Sequence, residues 1–78
     1  MQKLINTFDF GANLRQLRRR FDLTQDQLVA RLNLQGIDIS RSKYSRYETG
    51  ELNVPIDTVR ALQSIYQCPY DDFFENKK

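Results

Sequence analysis

Seventy-eight residues, 40% apolar and 28% charged, fit one globular domain at most and are too apolar for a disordered chain. The absence of histidine and the single cysteine, Cys68, rule out an internal disulfide, imidazole acid/base chemistry, Ser/His or Cys/His nucleophile pairs and zinc sites, so neither catalysis nor a cofactor is expected. The net charge of +2 conceals a split, with nine bases against four acids in residues 1–46 and three against six in residues 47–78, a pattern that suits a basic face for a polyanion and an acidic end turned away from it.

Residues 1–8 have no convincing period and are read as an arm. Phe10, Leu14, Leu17 and Phe21 are spaced by 4, 3 and 4, one face of a first helix that starts at Asp9 as N-cap, runs to about Phe21 and stops at a left-handed Asp22. Arg15, Arg18, Arg19 and Arg20 lie off that stripe. The second helix begins at Gln25, where Thr24 and Gln27 form a capping box and Leu23 and Leu28 a hydrophobic staple; Leu28, Leu32 and Val29 face inward, and Gly36 ends it after Leu34 or Gln35. Ser40 caps a third helix, Arg41 to about Glu48, with Ile39 and Tyr44 as its staple and Gly50 as its stop. Pro55 opens a fourth helix with Ile56, Val59, Leu62 and Ile65 at three-residue spacing, and Pro69 opens a short fifth carrying Phe73 and Phe74. With no strand pattern, repeat or linker, the fold class is all-α: a compact five-helix domain over residues 9–75, between the arm of 1–8 and a tail of 76–78.

Two stretches resemble the paired signatures of the lambda-repressor-like helix-turn-helix regulators of the Cro and xenobiotic-response-element type. They are Leu17-Arg18-Arg19-Arg20-Phe21-Asp22-Leu23-Thr24-Gln25-Asp26-Gln27-Leu28 and Ser40-Arg41-Ser42-Lys43-Tyr44-Ser45-Arg46-Tyr47-Glu48-Thr49-Gly50, and the likeness extends over roughly residues 10–74. Asp22 stands where the family usually has glycine and Val29 where it has alanine; the proline after Gly50 comes one place late. The seven residues between Leu32 and Ser40 make a longer turn than the family's common one.

The resemblance implies a sequence-specific regulator of transcription, a repressor, that puts the third helix into the major groove of double-stranded DNA. Ser40, Arg41, Ser42 and Arg46 match base-reading positions; Thr24, Gln25, Lys43, Thr49 and, more weakly, Asn53 match phosphate-binding ones. Thr24 and Ser40 are capping residues on any reading. Arg18 and Glu48 match a partly buried ion pair, with a phosphate contact as the second reading of Arg18. Arg15, Arg19 and Arg20 are either a solvated face or a source of long-range attraction. Tyr44 belongs to the core, whereas Tyr47 either packs beside the fourth helix or also reaches a phosphate through its hydroxyl. Cys68 is read as a small packing residue.

Leu4, Ile5, Phe8, Leu52, Tyr66, Tyr70, Phe73 and Phe74 exceed what so small a core obviously needs, so some mark a homodimer contact for a two-fold operator, or else the arm folds over its own core. An antitoxin or similar protein-binding module, gripping a protein partner with its acidic and aromatic C-terminal part while regulating itself through the same domain, is the alternative function. No apolar run reaches membrane-spanning length and no secretory signal is seen, so a cytoplasmic protein with no membrane partner is expected.

Overall fold

A computed structural model describes residues 9–74; the arm of 1–8, and residues 75–78 with the expected tail, lie outside the described residues. The five helices are α1 (Phe10–Arg20), α2 (Gln25–Leu34), α3 (Arg41–Thr49), α4 (Ile56–Tyr66) and α5 (Asp71–Phe74), and no strand occurs among the described residues. The start signals act as the sequence implies. Asp9 accepts the Ala12 amide, Thr24 and Gln27 complete a reciprocal capping box, and Ser40 accepts the Lys43 amide. Asp22 takes the left-handed conformation at φ 59°, and Gly50 does so at 87°, where a glycine carries no steric cost.

Leu14 and Leu17 of α1, Leu28 and Leu32 of α2, Tyr44 of α3, Leu62 of α4 and Phe73 of α5 are essentially removed from water. All five helices therefore close on one core. Helix α3 packs against both α1 and α2, while α5 leans on α1 and α4 on α2. The α1–α3 approach is close enough that a Cβ on Gly11 would lie 2.3 Å from the Glu48 carbonyl oxygen and 2.8 Å from that of Tyr47. Asn13, buried two residues on, donates from its amide to the Phe73 carbonyl at 2.9 Å and pins α5 to α1.

Helix α4 departs from the expected stripe, because Ile56 is 72% exposed and the inward residues are Thr58, Val59, Ala61, Leu62 and Tyr66. Nine residues at about 100° each place Ile65 on the opposite side of a helix from Ile56, so a strict three-residue repeat cannot hold one face that long. Phe21 is also half out of the core and lies against the ring of Tyr66, with centroids 4.8 Å apart. Tyr66 and Phe73 are core residues and Leu52 is partly buried against the core, so these three are not surplus surface; Tyr70 and Phe74 remain exposed.

The lengthened turn between α2 and α3 is held from within. Asn33, in the last turn of α2, donates its amide hydrogens to the carbonyls of Ile37 at 2.8 Å and Ile39 at 3.2 Å. Ile39 is buried and Ile37 half-buried, and the Ile37 amide returns to the Leu32 carbonyl at 3.0 Å. The extra residues are thus folded onto α2, and the chain reaches Ser40 in extended conformation, ready to cap α3.

Candidate nucleic-acid interface

Helix α3 divides sharply between its two sides. Tyr44, Tyr47 and Glu48 point inward, whereas Arg41, Ser42, Lys43, Arg46 and Thr49 are exposed. At 100° per residue, Ser42, Arg46 and Thr49 form the central outward stripe, with Arg41 and Lys43 on its two flanks. Ser40 stands at its N-terminal end, where its side-chain oxygen accepts the Lys43 amide at 3.1 Å and its own hydroxyl hydrogen remains available. The Thr49 hydroxyl donates to the Arg46 carbonyl at 3.1 Å, and Asn53 is exposed in the loop before α4.

The start of α2 opens onto the same side as the start of α3. Arg18, Arg19, Asp22, Leu23, Thr24, Gln25, Asp26 and Arg41 line an open groove of about 620 Å³. Helix N-termini favour anions, and the groove adds Arg19 and Arg41 beside the Glu48-paired Arg18, against Asp22 and Asp26. Thr24 caps α2, its oxygen accepting the Gln27 amide at 3.1 Å, and like Ser40 it keeps its hydroxyl hydrogen. Gln25 gives one amide hydrogen to Glu48 at 3.0 Å, which leaves its second hydrogen and its carbonyl.

Below this surface Arg18 joins Glu48 in a forked pair, Nε to Oε2 at 2.7 Å and Nη2 to Oε1 at 3.1 Å, and Nη1 donates to the Leu23 carbonyl at 2.9 Å. One arginine therefore ties α1 to the α1–α2 turn and to the end of α3. Burial works against the charged form of Glu48, but the hydrogen bonds from Arg18 and Gln25 prevail and hold its carboxyl below the usual carboxylate range. The Tyr44 hydroxyl, buried without a hydrogen bond of good geometry, also favours that carboxylate. Burial pushes the Tyr44 and Tyr66 hydroxyls well up, so both stay neutral. Tyr47 is 3% exposed; burial raises its hydroxyl, which is directed to Thr58 of α4, so the packing reading of this residue describes it. Cys68 is buried and its thiol is likewise pushed up by burial, which disfavours thiolate chemistry.

Several residues that shape this surface escape the sequence reading. Asn33 fixes the turn ahead of α3, and Gly11 lets α1 meet the end of α3. A glycine inside a helical pattern, where alanine would be more stable, is the signal that points to the second. Two acids also lie beside the candidate arginines, Asp26 at 3.4 Å from Arg41 and Glu51 at 3.9 Å from Arg46. Among the described residues no cluster of His, Cys, Asp and Glu could hold a metal ion, and no helix is long and apolar enough to cross a membrane.

Comparison with curated proteins and with solved structures finds no significant match. The family model described as a helix-turn-helix domain matches residues 9–73, which spans all but the last residue of the five helices. The chain belongs to the helix-turn-helix domain family, in keeping with its lambda-repressor-like signatures.

Proposed function

We propose that the protein is a sequence-specific transcriptional regulator, acting as a repressor, that inserts α3 into the major groove of double-stranded DNA as a homodimer on a two-fold operator. The observation that carries this reading is the outward face of α3, where Ser42, Arg46 and Thr49 are flanked by Arg41 and Lys43 while all its aromatic residues are turned inward. A helix so oriented fits the major groove by its polar side, and its N-terminal residues meet base edges. Ser40, Arg41, Ser42 and Arg46 read bases. Thr24, Gln25, Lys43, Thr49 and Asn53 face the phosphates and set the register.

Selection of bound duplexes from a random pool, followed by variants on the selected duplex, tests the assignment. Arg46→Ala is expected to cost about 1–3 kcal/mol and to relax preference at one base pair. Gln25→Ala should weaken all duplexes alike, since a phosphate contact carries no base information. Equal loss on every duplex for Arg46→Ala would place base reading on another face of α3. Recovery of no preferred duplex would overturn the reading as a whole.

A further inference from the structure

We propose that Asp26 and Glu51 are positioning residues for base reading, each holding an arginine of α3 by its Nε so that the Nη edge is left to face guanine. The inference rests on the DNA-reading role of α3 and adds to it two residues outside that helix.

In both pairs the nearest arginine nitrogen is Nε: Arg41 Nε lies 3.4 Å from Asp26 Oδ1, and Arg46 Nε lies 3.9 Å from Glu51 Oε1. A guanidinium has five donors in a fixed plane. A bidentate contact to guanine O6 and N7 needs only two, and an acid on the Nε side leaves both terminal nitrogens uncovered. Each acid is brought beside its arginine by the main chain that carries it. Asp26 sits in the first turn of α2, where the helix dipole favours a negative charge. Glu51 follows the left-handed Gly50, and its amide bonds to the Arg46 carbonyl at 2.9 Å, which turns the chain back beside Arg46. One arginine therefore has a carboxylate beside its Nε at the start of α3 and the other has one toward its end.

In the free protein all four side chains are more than half exposed, and pairs in that setting contribute little to stability. A duplex laid over α3 removes the water. The same pairs then strengthen, and each arginine has less rotamer freedom left to lose on binding. A carboxylate near DNA also repels phosphates, an effect that is the same for every sequence. Positioning and simple charge therefore predict opposite results on a preferred duplex.

The test uses a duplex selected from a random pool, its single-base variants, and a random-sequence duplex of equal length, with Asp26→Asn, Glu51→Gln and, as a distant control, Asp71→Asn. Unchanged thermal melts establish that each variant folds. Asp26→Asn is expected to lose roughly three- to tenfold affinity for the selected duplex, a fraction of a bidentate contact. It should also relax preference at the base pair that Arg41→Ala relaxes, while binding random-sequence DNA as well as or better than the parent. Glu51→Gln should do the same at the Arg46 position, and Asp71→Asn should change neither. If the two variants bind selected and random duplexes more tightly by the same factor, the acids act only through net charge and the positioning role is overturned. If the parent protein selects no duplex, the DNA-reading role itself falls and this inference with it.

Discussion

Glu48 is 4% exposed, yet it is ionised, gripped by Arg18 through two hydrogen bonds and by Gln25 through a third. Its folded carboxyl is held below the usual carboxylate range, so between that lowered value and the ordinary one the unfolded chain binds more protons. The stabilisation is thus complete above the ordinary carboxylate range and is lost as pH falls through the folded value. Glu48→Gln should flatten the acid limb of a melting-temperature profile against pH, and an unchanged limb would show that other carboxylates dominate it. Arg18→Ala leaves a buried charge without its fork and should destabilise on the order of 3 kcal/mol in denaturant melts, before any change in DNA preference. Gly11→Ala acts on the same junction from the other side. Its Cβ would meet backbone oxygens of Tyr47 and Glu48, which cannot rotate away, so α1 and α3 must separate; a loss of about 1–3 kcal/mol is expected in the same melts.

The helices differ in how openly their sequences declare them. Capping chemistry is local, so Asp9, Thr24 and Ser40 mark the starts of α1, α2 and α3 within a few residues, and Asp22 and Gly50 mark stops. The aromatic residues are less legible, since Tyr66 and Phe73 count as surplus until their long-range partners are known, and Tyr70 and Phe74 stay outside. The candidate site is legible where it resides on one helix: the split of α3 follows from the 100° step and from the motif that begins at Ser40. Contacts between elements are not legible in the spacing: the Arg18–Glu48 fork is foreseen only through the family resemblance, and nothing says that Asn33 reaches Ile37 and Ile39 or that Asp26 meets Arg41. The Asn33 bonds give the lengthened turn its fixed path into α3. Asn33→Ala removes both, leaves a half-buried turn without its donors and should cost about 1–2 kcal/mol. If that turn also sets the angle of α3, the variant will bind a selected duplex more weakly even at temperatures where it is fully folded; unchanged affinity would mean that the buried Ile39 alone suffices.

At the scale of the whole molecule, charge and apolar surface make separate contributions. Most bases precede Tyr47 in the chain and most acids follow Arg46, and Arg18, Arg19 and Arg41 line the groove that also contains the start of α2. On the proposed reading, each phosphate neutralised contributes about −0.9 to the slope of log affinity against log salt. A single α3 of nine residues reaches few base pairs, so a preferred site of useful specificity calls for two such helices. Leu34 is 88% exposed and Ile56 72%, on helices that also present Arg31 and Arg60 to water, and neither residue contributes to the core. A homodimer on a two-fold operator needs its two copies of α3 about 34 Å apart, one turn of duplex, and would double the salt slope relative to a protomer on a half-site. Sedimentation of the protein on duplexes carrying one or two selected half-sites, over about 50–200 mM salt, measures stoichiometry and slope together. Two protomers per full site with a slope near twice that of the half-site are expected. One protomer per full site, with footprinting protection confined to one half, would remove the dimer from the proposal while leaving the reading of a half-site by α3 intact.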